Sequence, residues 1–476
     1  MIQTNLRSQV LAILLSLVLC VSFAFAQKPT PTPERSHEIV ALLNDARYAA
    51  PELTVDVLLK VIESKKIADP AWRREILDET FRTADEVKYP VRRERAYHGT
   101  GIVDTVSGYM TYAYEQNLDA LSLKARIVKA WLREDKARAR QMVFQIGGDL
   151  NLKPLICADA MGYEVTGIYA SVGAVGKDAF SSSEIKDGLR GLFLLPWIEN
   201  MQSPAQILPA IEMIKGLRSL PAERQMLINA FTRSISRNFG DDLSFSHAFY
   251  RNSYVASQFI AESDDSEGLV VAWRELLVKN TSGKRCLESK PKNREDLPHP
   301  VMHFNRLFPE DKRFSVEDFA SVEYRGTPKD KLYLDSEMNK KLLRLLRSAR
   351  EKKNLPENKD DKAAQLEWHL RVTEMLDLLD SWKASPEETE AEVFNQKAVF
   401  YDTIARDVTE SEQNKAVSRA FMRFLDRSPV QKESFIEWLY YLRRFIGKNP
   451  RAFIELVPEF PNPNFKMIVA MKKLGL

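Results

Sequence analysis

The chain has 476 residues, and its formal net charge of +3 is close to neutral. It lacks the basic excess that nucleic-acid-binding proteins usually carry, so no nucleic-acid partner is expected. Hydrophobic residues make up 44% of the chain and glycine only 18 positions. That composition excludes wholesale disorder and favours helices over a β architecture punctuated by glycine.

The N-terminal segment 1–26 has the pattern of a secretory signal peptide. Arg7 precedes an apolar run from Val10 to Val21, and Ala24-Phe25-Ala26 supplies the small-x-small pattern that signal peptidase cleaves. Cleavage between Ala26 and Gln27 is therefore expected, and the protein should be exported, either periplasmic or released. The apolar run is short for a membrane span, so no stable membrane anchor is expected after cleavage.

A proline- and threonine-rich tether at 27–35 separates this leader from a helical region at 36–238. Within that region, apolar residues recur every three or four positions in paired segments, and Asp or Pro residues mark several starts. The recognisable pairs begin at Pro51, Leu118 and Pro204. Each pair predicts a helical hairpin, and several hairpins in series can bury their apolar faces by stacking.

In this respect residues 51–236 resemble tetratricopeptide-type and related helical-repeat proteins. The resemblance implies an α-solenoid-like architecture, although the pairs are irregularly spaced and the Trp-Leu-Gly-Tyr consensus of that family is missing. The chain also resembles secreted bacterial helical proteins in general, and this second likeness implies no activity.

The rest of the chain divides into two parts. Segment 239–334 combines two predicted helices with a long irregular stretch, Asn280–Pro300, which mixes charged residues with Gly, Pro and Asn. Helical periodicity resumes at 335–476 and includes a long amphipathic stripe within Ala363–Trp382. The expected fold is all-α: stacked helical hairpins, an irregular middle segment and a C-terminal helical domain.

The connection between the first two hairpins is the main candidate for binding. It is longer than a hairpin turn requires, and long ordered connections carry function more often than short ones. It offers aromatic surface and polar groups of the kind that interfaces favour, at Tyr97, His98, Asp104, Tyr109 and Tyr112. These residues predict a binding site for a protein or peptide partner. The alternative is that the tyrosines simply pack the next helix.

A histidine pair is the nearest approach to a metal pattern. His299 and His303 are four positions apart, the spacing that places two imidazoles on one helical face. Pro298 and Pro300 bracket His299, which predicts that it precedes a helix. The second cysteine of a zinc finger and the glutamate of a zinc protease are both missing, so neither metal nor cofactor is expected.

Binding is therefore the favoured function, because the sequence contains no complete catalytic motif. The protein is expected to be a scaffold or a module that binds a protein or peptide. The alternative is a hydrolase-type enzyme with a site near His98 or the His299/His303 pair.

Three further features leave alternatives open. Cys157 and Cys286 either form a disulfide or lie buried as thiols. The glycines within Leu150–Gly191 either let helices approach closely or form a mobile lid, and close packing is favoured. The basic amphipathic stretch Lys340–Lys353 either meets an anionic surface or an acidic partner, or turns its charges into water, which is favoured.

Overall fold

A computed structural model describes residues 35–95, 111–155, 161–237, 239, 242, 253–263, 267–281, 285–287, 299–315, 324–326, 336–353, 362–408 and 411–476. Within these ranges the protein is all-α, as the composition and periodicity predict. Helices form nearly all of the regular structure there, and each of the four strands is three residues long.

The helices of the predicted hairpin region come first in the chain. They are α1 (His37–Ala46), α2 (Pro51–Glu63), α3 (Pro70–Ala84), α4 (Ala120–Glu134), α5 (Lys136–Asp149), α6 (Thr166–Asp178), α7 (Ser182–Lys186), α8 (Leu189–Glu199), α9 (Ile207–Gly216) and α10 (Pro221–Ser236). A 3-10 turn, Pro204–Gln206, comes directly before α9.

The remaining helices follow the end of α10. They are α11 (Ser253–Ala261), α12 (Glu267–Thr281), α13 (His299–Leu307), α14 (Glu337–Lys353), α15 (Lys362–Ser381), α16 (Glu390–Asp407), α17 (Ser411–Arg427), α18 (Val430–Glu433), α19 (Phe435–Lys448), α20 (Pro450–Leu456) and α21 (Pro463–Lys473). Two further 3-10 turns, Glu310–Lys312 and Val457–Glu459, and two strand pairs are also present. Strand β1 (Arg93–Arg95) is antiparallel to β2 (Met161–Tyr163), and β3 (Arg285–Leu287) is parallel to β4 (Tyr324–Gly326).

Short polar side chains fix several helix starts. The carboxylates of Asp69 and Asp135 each accept a hydrogen bond from a backbone N–H in the first turn that follows. Ser181 and Thr389 form capping boxes. Each side chain accepts a hydrogen bond from the backbone N–H of the glutamate three residues later, and the side chain of that glutamate accepts one from the backbone N–H of the capping residue. These bonds satisfy N–H groups that a helix leaves without an internal acceptor, so the starts are determined locally.

The three predicted hairpins are present as contacting helix pairs: α2 with α3, α4 with α5, and α9 with α10. Contacts then continue from one pair to the next. One series runs from α2 to α4, α6, α9, α11 and α13, and a second runs from α5 to α8, α10 and α12. Each pair therefore buries apolar surface against its neighbours in chain order.

Glycines allow close approach within this series, as favoured from the sequence. A Cβ atom on Gly176 of α6 would lie 3.2 Å from Leu194 of α8, and one on Gly191 would lie 2.3 Å from the Cε atom of Met226 on α10. Because glycine has no Cβ, α8 can pack tightly against helices on both sides.

The C-terminal helices form a second packed group. Helix α14 packs on α15, α16 on α17, and α17 on α20. The sequence predicts one helix over Lys432–Ile446, and this is wrong: the chain forms α18 and α19, separated at Ser434, whose φ of −133° and ψ of 60° are not helical. Helix α21 packs on α1, so the C-terminal group contacts the start of the hairpin series.

Candidate functional site

The predicted binding residues are only partly within the described structure. Tyr97, His98, Asp104 and Tyr109 lie outside the described residues. Tyr112 lies in a helical turn at 111–114 and is half-buried.

The ring of Tyr112 stacks on that of Tyr440 in α19, with centroids 6.0 Å apart and planes inclined by 11°. Its neighbour Tyr114 is buried and meets Tyr89 edge-on, with ring centroids 5.4 Å apart. Tyr114 is thus a packing residue, whereas Tyr112 lies at the contact between the hairpin series and the C-terminal helices.

Polar side chains surround the Tyr112 contact, and we call this group the polar seam. It comprises Asp56, Tyr112, Gln116, Tyr440 and Arg443. Gln116 bridges the two parts of the chain: its Nε2 donates to the backbone carbonyl oxygen of Ile436 at 2.7 Å, and its Oε1 accepts from Arg443 Nη1 at 3.2 Å.

Asp56 is the electrostatic centre of the polar seam. The residue is 3% exposed, yet its carboxylate contacts three cations: Arg443 Nη2 at 2.7 Å, Arg126 Nη1 at 2.8 Å and Lys60 Nζ at 3.1 Å. Burial by itself raises the pKa of Asp56, but Arg443, Lys60 and Arg126 outweigh it and hold the pKa at about 2. The ionised carboxylate therefore ties α2 to α4 and α19.

A second buried carboxylate is linked to Tyr440 through an arginine. Asp402 of α16 accepts hydrogen bonds from Arg444 Nη2 at 2.9 Å and from Lys448. Burial acts to raise the pKa of Asp402, but these two bonds lower it overall. Arg444 also donates to the hydroxyl of Tyr440 at 3.0 Å. The ring that stacks on Tyr112 is thereby fixed by a charged pair on neighbouring helices.

Glu437 of α19 shows the opposite behaviour. Its Oε2 accepts one hydrogen bond, from Asn395 Nδ2 at 3.2 Å, and burial raises its pKa. A carboxyl group whose charge is poorly compensated retains its proton at a higher pH than an exposed one does. The same helix therefore carries a glutamate with a raised pKa one turn from Tyr440.

The second predicted location of chemistry is the histidine pair. Helix α13 begins at His299, so the prediction that His299 precedes the helix is wrong. His303 Nδ1 lies 2.6 Å from Ser253 Oγ on α11, and its ring meets that of Tyr254 edge-on. A hydrogen bond between a serine hydroxyl and an imidazole nitrogen is the contact that activates a serine nucleophile, but Ser253 is fully buried.

Among the described residues, no three His, Cys, Asp or Glu side chains are grouped to hold a metal ion. In the same part of the chain, no helix combines the length and apolarity that crossing a bilayer requires. Cys157 lies outside the described residues, so the two alternatives for Cys157 and Cys286, a disulfide or buried thiols, both stay open.

Sequence reasoning missed the polar seam because its members are distant along the chain. Asp56 offered one signal: it interrupts the apolar run of α2, a helix that is buried on nearly every side. A carboxylate at such a position requires partners, since an unpaired buried charge is costly. Its partners Arg126 and Arg443 carry no comparable signal, because arginines on helix surfaces are common.

Comparison with known proteins adds no assignment for this site. No family model matches the chain, and neither a curated protein nor a solved structure is significantly similar to it.

Proposed function

We propose that this is an exported helical-repeat protein that acts as a scaffold or binding module for a protein or peptide. The observation that carries the proposal is the serial packing of helices, in which α2, α4, α6, α9 and α11 contact one another in order. Helices stacked in this way form an α-solenoid-like array with an extended face on which a partner can lie.

The binding site proposed within this array is the connection that carries Tyr97, His98, Asp104 and Tyr109, together with Tyr112 and the polar seam. Tyrosine and arginine are among the residues most enriched where binding energy concentrates. Tyr112 is held in place by Tyr440, and Arg443 keeps 31% of its side chain exposed. An ordered aromatic ring beside a partly exposed cation loses little conformational freedom when a partner binds.

Site-specific photo-crosslinking tests the assignment. A photoreactive phenylalanine analogue replaces Tyr109 in one protein and Tyr48, which is 87% exposed in the α1–α2 turn, in a control. The Tyr109 variant should give a discrete adduct in the exported fraction, and His98→Ala/Asp104→Ala should remove it. Adducts that form equally from both positions, or that survive the double substitution in folded protein, would contradict the site.

Export itself is tested by sequencing the N terminus of the protein recovered outside the cytoplasm. The signal-peptide pattern predicts that the chain starts at Gln27. Recovery of a chain that still begins at Met1 would show that the segment is retained and would contradict this part of the proposal.

A hydrolase is the second candidate function, and the 2.6 Å separation between Ser253 Oγ and His303 Nδ1 is the observation in its favour. The complete burial of Ser253 opposes it, because a nucleophile must reach its substrate. A fluorophosphonate probe separates the two functions. Labelling that Ser253→Ala removes, and Ser257→Ala on the same helix does not, would favour the enzyme. Unlabelled wild-type protein would exclude Ser253 as an activated nucleophile.

A further inference from the structure

Helices α14 and α15 form an outer layer over α16 and α17. Asn339 of α14 donates to Gln396 of α16 at 2.9 Å, and Arg350 pairs with Asp407 at the end of α16 at 2.5 Å. Helix α15 contacts both α14 and α17. Because α14 and α15 also pack against each other, their solvent-exposed sides adjoin, and we call these two sides together the outer surface.

Three cations on the outer surface have no carboxylate partner within the described residues. Lys341, Arg344 and Arg347 are exposed and recur every third position, so they lie along the same side of α14. On the opposite side, Leu342 is completely buried and Leu346 is 3% exposed. The amphipathic stretch predicted from the sequence thus directs Leu342 and Leu346 inward and leaves a basic stripe outside.

Exposed leucines accompany this basic stripe. Leu366 and Leu370 of α15 are 60% and 63% exposed, and Leu343 of α14 is 37% exposed. Leu366 and Leu370 are one helical turn apart, on the side of α15 opposite to the buried Trp368 and Val372. Scattered single leucines on a surface need no explanation, whereas several leucines beside cations that form no ion pair indicate a surface with a partner.

We propose that the outer surface docks on an anionic phospholipid bilayer. Lys341, Arg344 and Arg347 would meet lipid phosphates, and the leucines would enter the boundary between headgroups and acyl chains. Leu366 and Leu370 project from the crest of a helix, so they need an apolar layer rather than a matching groove. An acidic protein could neutralise the cations but would need a complementary concave face. Docking of this kind is peripheral and requires no helix that spans the bilayer.

Vesicle sedimentation of the full-length protein tests this proposal. The protein should sediment with vesicles that contain phosphatidylglycerol and not with phosphatidylcholine alone, and added salt should weaken binding. Lys341→Gln/Arg344→Gln/Arg347→Gln should lower the affinity about a hundredfold, since each cation near an anionic surface contributes about fivefold. Leu366→Ser/Leu370→Ser should remove the binding that persists at high salt.

A matched control distinguishes this surface from general charge effects. Lys129→Gln/Arg133→Gln/Lys136→Gln removes the same charge from exposed positions of α4 and α5 and should leave binding nearly unchanged. Equal losses in the two triple variants, or no preference for phosphatidylglycerol, would overturn the proposal. If polyglutamate binds through the three α14 cations while vesicles do not, the surface takes an acidic protein and the lipid proposal is wrong.

Discussion

Two of the ionic contacts that join helices in this molecule differ in how far water reaches them. Arg190 of α8 and Glu223 of α10 form a two-point pair at 2.8 and 2.5 Å, and their side chains are only 5% and 3% exposed. At the polar seam only Asp56 is buried, with 4% of its side chain exposed. Its partners Arg126 and Arg443 remain 27% and 31% exposed.

The difference indicates where the molecule can reorganise. Arg190 and Glu223 are both buried, so removing the charge of one leaves the other charge unpaired in an apolar interior. At the polar seam the arginines can regain water, and salt can screen them. The contact between the hairpin series and the C-terminal helices is therefore the one that salt or a bound ligand changes more easily.

Breaking the α8–α10 pair should have the largest effect on stability. Glu223→Gln keeps the shape of the side chain but leaves the Arg190 charge buried without a counterion. We expect a loss of about 3–5 kcal/mol in the free energy of unfolding, measured by urea denaturation.

The control for this prediction removes both charges. Arg190→Met/Glu223→Leu should lose much less stability than the single variant, because no unpaired charge remains. If the double variant is as unstable as Glu223→Gln, lost packing beside Gly191 rather than a stranded charge causes the effect.

Asp56→Asn should have a smaller effect that depends on pH. An aspartate in the unfolded chain binds its proton near pH 3.8, whereas Asp56 in the folded protein does so near pH 2. Above pH 3.8 the ionised carboxylate therefore contributes about 2 kcal/mol, and this contribution is lost as the pH falls through the folded pKa. Wild type should exceed the variant by about that amount at neutral pH and converge with it below about pH 2.

Asp85→Asn is the matched control for Asp56→Asn. Asp85 pairs with Lys124 across the α3–α4 contact, but 59% of its side chain is exposed. Its substitution should change stability by less than about 1 kcal/mol, because water screens exposed pairs. An equal loss in both variants would show that burial does not distinguish the polar seam.

The sequence predicts locally determined features of this fold better than contacts between distant segments. The hairpin helices follow from local signals: Pro51 and Pro221 open helices, and Asp69 and Asp135 cap them. Apolar periodicity predicts the buried faces of these helices. The all-α fold class predicted from these signals is confirmed.

Contacts between distant segments could not be predicted in this way. The meeting of Tyr112 with Tyr440, or of Asp56 with Arg443, is a property of the packed chain. Helices α6 and α8 are difficult to predict from the sequence for another reason. Their glycines oppose helix formation locally, and tertiary packing outweighs that preference. The break at Ser434 likewise leaves no mark in the apolar pattern on either side.

A double-mutant cycle measures how firmly the tyrosines join the polar seam. Tyr112→Ala, Tyr440→Ala and the double variant should give a coupling energy of about 0.5–1.5 kcal/mol, the range for aromatic pairs in contact. Tyr440→Phe keeps the ring but loses the bond from Arg444, so it should preserve the coupling to Tyr112. Zero coupling would mean that the two rings are adjacent without stabilising the contact.

Glu437→Gln provides the finest test, because its pH dependence should be opposite in sign to that of Asp56. Burial raises the pKa of Glu437 above its usual 4.5, so the folded state keeps a proton that the unfolded chain releases. The contribution of Glu437 to the free energy of unfolding is therefore fully present below pH 4.5 and is lost as the pH rises through the folded pKa. Glutamine mimics the protonated carboxyl and can still accept from Asn395. Thermal unfolding should show the variant equal to wild type below pH 4.5 and more stable at neutral pH. A variant that is less stable at neutral pH would show that the charged form of Glu437 is the one the fold favours.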